Sequence, residues 1–343
     1  MRVDALSTDV LRLASPAPGM SDDRSMDDQL PRLTHINSLD ELLDSRRAHA
    51  RAAISGEEIR IARGVYVSSD AWGEIENHDR YLLRIRGVVN TRHSRPVVSH
   101  WSAAAIHGLP IGGNWLQDVH TTVSPTAGGR SHNGVVKHHA KLSEEDVVEI
   151  DGMLVTSVAR TVVDIAMMGP FAAAVVVADR AQLVDRFGRT PPMTTREEIQ
   201  NTFNRLMPVR AHKRAQGVID FSVNRSESPL ESESRVSMRI IGCPQPALQV
   251  PFWDYRGFIG ESDFGWEEYN SVGEADGKQK YFEERFRRGR TSQQVIDDER
   301  IRHNRLAALP KHVIRWGWET GTVPARLRAH LVAAGLPMGV KWK

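Results

Sequence analysis

The sequence predicts a multidomain α/β protein with a winged-helix head, a mixed α/β middle domain and a C-terminal module of order αβββαβ. Three observations lead there. The chain has 343 residues, 40% in the apolar set and 26% charged, a globular composition in a chain long enough to bury more than one core. An Arg/Ala-rich helical stretch is followed by an apolar alternation around a glycine near residue 64. Late in the chain, a helix-start signal precedes three strand-like runs, a helix and a further strand.

From Met1 to about Pro31 the residues are Asp, Ser, Pro and Met without apolar period, the pattern of a disordered tail over 1–31. The head is expected over 32–75. Ser38 as cap with Glu41 three residues on starts a short helix, and a second helix runs through Arg46, Arg47 and Arg51 to Ile54. After Ser55-Gly56 and another short helical turn, Ile59–Val67 alternates around Gly64, as two tightly joined strands would. Helix, basic helix and basic wing is an order suited to DNA. Arg46, Arg47 and Arg51 are then candidates for the major groove, with Arg60 and Arg63 on phosphates.

The middle domain is expected over 76–185: a helix over 80–90, a strand at 96–99, an Ala-rich helix over 101–107 stopped by Gly108-Leu109-Pro110, and strands at 119–123 and 135–139. Val155-Thr156 leads into a helix capped by Ser157, and an apolar helix follows over 171–184. Within these elements Arg160 and Asp164 form an i,i+4 pair, and His100 and His107 are read as packed or capping residues. Residues 186–227, polar and punctuated by Pro191-Pro192 and Pro208, form a helical connector. The last module spans 228–320: a helix from Ser228-Pro229 to Ile241, strands at 247–253, 258–264 and 270–276, a helix over 291–308 and a strand from His312 to Trp318. Residues 321–343 are set apart as a tail.

Composition narrows the function classes. No run approaches ~20 consecutive apolar residues, and MRVDALSTDV lacks a basic region followed by an apolar core, so a cytoplasmic chain with no membrane partner is expected. Cys243 stands alone, which excludes an internal disulfide and a cysteine-based zinc site. The formal net charge is only +2, yet residues 278–315 hold eleven Lys and Arg against five Asp and Glu. Such a stretch is either a solvated helix face or a polyanion contact.

Carboxylates supply the chemistry of the last module. Asp263 lies on one apolar strand and Glu274 on the next across a Tyr-Asn turn, so a hairpin sets them side by side; Asp276 shares a strand face with Glu274. Mg²⁺ or Mn²⁺ needs only one or two protein carboxylates plus water and phosphate, and Lys278 and Lys280 follow within reach of the same phosphate. Phosphodiester hydrolysis is the implied reaction. Each residue also has a plainer use: Glu231 as the capping-box glutamate after Ser228, Asp276-Gly277 as a turn, and the lysines as a solvated strand end.

Two resemblances sharpen these expectations. Residues 228–318, through SPLES, ESDFGW, VGEADGKQKY, DDERIRHNRL and HVIRWGW, resemble the PD-(D/E)xK restriction-endonuclease-like superfamily, nearest its very-short-patch-repair (Vsr-like) branch. The resemblance implies a Mg²⁺-dependent DNA nuclease fold with Glu231, Asp263 and Glu274 as metal ligands. It also implies that Asp276 stands where the superfamily's lysine usually does, leaving that duty to Lys278 or Lys280. The front half, through Arg60–Val67, VSHWSAA with HGLP, and VTSVARTVVD, resembles the AbiEi-type antitoxins of type IV toxin–antitoxin systems over about residues 32–185. That family implies a winged-helix DNA-binding head, autoregulation and a cognate toxin partner. Two functions therefore compete: a DNA endonuclease, and an antitoxin-like transcriptional regulator whose nuclease fold has lost catalysis.

Overall fold

The computed structural model describes residues 30–35, 42–91, 95–111, 116–128, 131, 134–185, 188, 190–276, 300, 301, 304, 305, 308 and 311–342. The expected N-terminal tail up to residue 29, the first short helix at Ser38, Lys278, Lys280 and most of the helix expected over 291–308 lie outside them. Among the described residues the fold is mixed α/β with three sheets, and the chain divides into two compact units, residues 1–170 with 185–220 and residues 171–184 with 221–343.

In the first unit, β1 (Thr34–His35), α1 (Leu42–Ser55), β2 (Glu58–Ala62) and β3 (Val65–Ser68) form the front segment, with sheet order β1-β3-β2. Gly64, at φ +74°, lets the chain return between β2 and β3 in a conformation L side chains rarely adopt. Instead of the extra helical turn expected after Gly56, the chain enters β2 almost at once, with the Glu57 amide bonded back to Ala52 O. α2 (Ser69–Glu74) is capped by the Ser68 hydroxyl, and α3 (Asn77–Asn90) buries Tyr81, Leu83 and Ile85 in one core with Val65 and Val67 of β3. Tyr81, Leu82, Ile85 and Val88, at i, i+1, i+4 and i+7, form its main apolar face.

The same unit holds a five-stranded sheet. β4 (Val97–Val98), α4 (His100–Ile106), β5 (Val119–Val123), β6 (Val135–His139), β7 (Val147–Ile150), β8 (Met153–Thr156) and α5 (Val158–Met168) follow in sequence, with sheet order β6-β5-β4-β8-β7. Ser157 caps α5 by accepting the Arg160 N–H. α6 (Phe171–Gln182) belongs to the second unit, while α7 (Arg196–Arg205) returns to the first and packs on α5; α8 (His212–Phe221) follows.

The second unit holds α6, α9 (Pro229–Ile241), β9 (Ala247–Asp254), β10 (Gly257–Trp266), β11 (Ser271–Ala275), β12 (His312–Trp316), α10 (Trp318–Gly321) and α11 (Pro324–Ala333). Its sheet order is β12-β11-β10-β9, with β11 and β12 parallel and the other pairs antiparallel. Ser228 caps α9, Pro229 stands in its first turn, and Gly242 ends it at φ +67°.

Two expectations change. The helix assigned to the middle domain over 171–184 groups with the last module because Asp179 of α6 is buried against it, accepting bonds from Arg235 at 3.0 Å, Ser232 at 2.7 Å and the Val223 amide at 2.7 Å. Residues 321–343 are not a tail: Leu327, Leu331 and Leu336 are buried with Phe264, Trp266 and Trp316, and the Val340 amide bonds to Gly242 O at 2.8 Å. Each such leucine stabilises by ~1.5–3 kcal/mol, so removing the segment would open the core.

Candidate functional site

Strand register builds the carboxylate site. Phe264 of β10 pairs with Gly273 of β11 and Gly265 with Val272, so one step outward Asp263 stands opposite Glu274. Directly opposed residues of an antiparallel pair project from one face. Asp263 Oδ2 accepts the Ala275 N–H at 2.8 Å, which fixes that carboxylate against the strand carrying Glu274. Glu274 is buried, and Gly273 before it lies under two indoles: a Cβ there would come within 2.6 Å of Trp316 and 3.1 Å of Trp266. Asp276 follows the end of β11, half-exposed, its N–H donating to Trp316 O at 2.8 Å.

Arg315 completes the group. It is the parallel-strand partner of Glu274 on β12; its Nη2 donates to Glu274 Oε2 and its Nη1 lies 3.5 Å from Asp276 Oδ2. Its Nε is buried without a hydrogen-bond partner among the described residues, although the side chain as a whole is 29% exposed.

Glu231 serves the start of its helix. One oxygen accepts from Ser228 Oγ at 2.7 Å, and the other accepts from the Glu227 N–H at 2.9 Å and Gln249 Nε2 at 3.0 Å. Among the described residues no three His, Cys, Asp or Glu side chains gather as a metal site, so the expected set of Glu231, Asp263 and Glu274 is not assembled as three ligands. The pair Asp263 and Glu274 remains, a hard-oxygen donor set of the size Mg²⁺ takes from a protein, and a guanidinium already sits on Glu274 as a stand-in cation. The residues therefore fit a divalent cation as a two-carboxylate site.

The expected DNA-contact arginines are all exposed. Arg46, Arg47 and Arg51 stand on α1, Arg60 on β2 and Arg63 in the turn after it. Arg51 and Arg60 each donate Nε–H to a main-chain carbonyl, Arg47 O and Ala62 O, both at 3.3 Å. Helix and hairpin are tied together by His49, which bonds Glu58 at 2.7 Å and stacks on Tyr66 with ring centroids 5.2 Å apart. The five cations thus ride on one braced element pair.

Sequence reasoning missed a second titratable cluster, in the first unit. His100, His120 and His138 stack in series, with centroids 3.6 Å apart for His100–His138 and 5.1 Å for His120–His138, and His120 Nδ1 lies 2.9 Å from His138 Nε2. His100 begins α4 at φ +53°, unusual for a non-glycine residue. Burial holds its pKa down to about 2, aided by the other two rings and Arg160; burial likewise holds His120 and His138 down to about 4. Asp164 Oδ2 lies 3.9 Å from His100 Nδ1 without a hydrogen-bond partner among the described residues, and burial raises this carboxyl to about 6 against the opposing pull of Arg160. Arg160 is itself buried between Asp164 and Asp146, at 2.9 Å from each, and also donates to Lys141 O. His107 packs as expected, its Nε2 donating to Thr156 O at 2.7 Å. The parity of 120 and 138 was visible in the sequence, but the register joining β5 to β6 was not.

No protein-family model matches the chain. Two curated relatives, the uncharacterized proteins Rv2248 and MT2308 of two Mycobacterium tuberculosis strains, are each 27% identical over 280 residues, covering 76% of this chain and 94% of their own length. Among solved structures, the crystal structure of the RV2827C protein from Mycobacterium tuberculosis aligns with 71% of this chain and 93% of its own at a TM-score of 0.36 and 15% identity.

Proposed function

We propose that the chain is a DNA-binding protein whose second unit hydrolyses phosphodiester bonds with a divalent cation held by Asp263 and Glu274. The opposition of these two carboxylates across β10 and β11, in a sheet whose next strand runs parallel, is the observation that carries the reading. A bound Mg²⁺ or Mn²⁺ would polarise the phosphoryl group and lower the pKa of the attacking water. Asp263, fixed by the Ala275 N–H, and Glu274, fixed in a central strand, hold their oxygens in place without loop rearrangement. Lys278 and Lys280 follow directly and are the lysines that would balance charge developing on the phosphate.

DNA delivery falls to the first unit. Arg46, Arg47, Arg51, Arg60 and Arg63 would neutralise phosphates, so affinity should fall with log salt at a slope of about −4.5 if all five make contact. Substituting the three helix arginines by Ala should reduce that slope by about 2.7. The competing regulator reading, with a cognate toxin as partner, draws support from Asp276 at the lysine position and from the guanidinium on Glu274. Incubating supercoiled plasmid with the full chain and Mg²⁺ or Mn²⁺ separates the two. Cleavage that Asp263→Ala abolishes supports the nuclease; binding with no cleavage under either cation supports the regulator.

A further inference from the structure

We propose that Arg315 is an internal counter-ion: it occupies Glu274 and Asp276 while no divalent cation is bound, and is released toward the DNA phosphate when one binds. The inference rests on the nuclease reading of the same carboxylates. Its starting point is the contact itself. Parallel pairing sets Arg315 beside Glu274, and one guanidinium reaches both that carboxylate and Asp276.

Chemistry makes this contact incompatible with a loaded site. Guanidinium does not lose its proton in a protein, so it cannot be neutralised when a second cation arrives. A carboxylate ligating a divalent ion donates its charge to that ion, and a fixed positive group at the same oxygens is then repelled. Arg315 is built to move. Its side chain is 29% exposed, so the head lies at the solvent boundary, and its Nε holds no described partner. Arg160, which is 1% exposed and bonded through both Nε and Nη1, has no such freedom.

Release would place a planar, permanently charged fork where the substrate phosphate must lie. That fork matches phosphate oxygens two at a time. It also supplies the positive charge that Asp276 cannot provide. Cation and DNA binding then become coupled: each removes the group that hinders the other, and linkage requires the effect to be reciprocal. The resting state has its own benefit, since Arg315 relieves repulsion between neighbouring carboxylates before any metal arrives.

Calorimetric titration of Mn²⁺ into the EDTA-stripped full chain tests this, paired with plasmid cleavage. Arg315→Met, which keeps an apolar stem but no charge, should bind Mn²⁺ about tenfold more tightly than the parent and cleave at least about a hundredfold more slowly. Arg315→Lys should return Mn²⁺ affinity toward the parent value and restore part of the cleavage. Should Arg315→Met fail to fold, Arg315→Gln, which keeps an uncharged amide donor, carries the same expectation. A parent that binds Mn²⁺ beside a variant that binds it equally or more weakly overturns the counter-ion role, since a purely structural arginine would loosen the site. If neither parent nor variant binds Mn²⁺, the metal reading itself fails and takes this inference with it.

Discussion

Both units hold arginine against paired carboxylates, and the two clusters differ in what surrounds the guanidinium. In the first unit Arg160 lies between Asp146 and Asp164 with Lys141 O on a further donor, and Arg205 adds a second cation to Asp146 at 3.1 Å. In the second unit Arg315 faces Glu274 and Asp276 from the solvent boundary, with Nε unsatisfied among the described residues. A buried charge fully surrounded by partners cannot move without a large loss, whereas a half-exposed one can exchange its partner for another anion. The same residue types therefore make a fixed brace in one unit and an exchangeable contact in the other.

The largest effect that would break this comparison is on stability. Arg160→Met should destabilise the first unit by about 3–5 kcal/mol, because Asp146 and Asp164 would remain buried without their shared cation. Arg315→Met should cost less, about 1–3 kcal/mol: Glu274 is buried and loses its cation, but Arg315 and Asp276 are partly exposed. Urea denaturation of both variants checks the pair of values, and equal losses would erase the distinction.

Acidification should act next, through the imidazole stack. His120 and His138 titrate near 6.5 when unfolded and at about 4 when folded, and His100 lower still, so the unfolded state binds more protons throughout that window. Stability is then fully present above about pH 6.5 and is lost as pH falls toward 4. Asp164, raised to about 6, works in the opposite direction between about 6 and 3.8, but it is one group against three. A net loss on the order of 3 kcal/mol between pH 7 and pH 5 is expected. Urea midpoints across that range measure it, and a flat profile, or one unchanged by His138→Asn, would contradict it.

A smaller effect comes from Gly273→Ala. Its methyl would meet Trp316 at 2.6 Å, and relief by shifting the indole or the strand should cost ~1–3 kcal/mol and displace Glu274. Cleavage should fall more than DNA affinity. Unchanged cleavage would mean that the position of Glu274 does not matter.

Much of the local structure was legible in the sequence. The sequence delimits Val119–Val123 and Val135–His139 at their observed bounds because short apolar runs end there at turn residues, and Ser228-Pro229 marks the start of α9. Which elements pack together was less legible. The apolar α6 reads as part of whatever precedes it, and only the buried bonds of Asp179 assign it to the second unit. The C-terminal α11 has a weak amphipathic pattern, with just Leu327 and Leu331 one turn apart to signal burial. At the candidate site the hairpin partners Asp263 and Glu274 could be inferred because a short turn joins their strands. Arg315 could not, since it arrives beside Glu274 through a parallel pairing of residues 41 positions apart. Nor could the histidine stack, which depends on the β5–β6 register and on one residue at positive φ.

Whether the carboxylates of the second unit accept a hard cation is most directly measured with Tb³⁺, which favours oxygen ligands as Ca²⁺ and Mg²⁺ do. Trp266 and Trp316 lie against Gly273, beside Glu274, and should sensitise the luminescence of a Tb³⁺ ion bound there. The expected result is indole-excited Tb³⁺ emission from the full chain that Mn²⁺ displaces and that the double variant Asp263→Asn, Glu274→Gln lacks. Emission of equal strength from the double variant, or none from the parent, would contradict a metal site at Asp263 and Glu274.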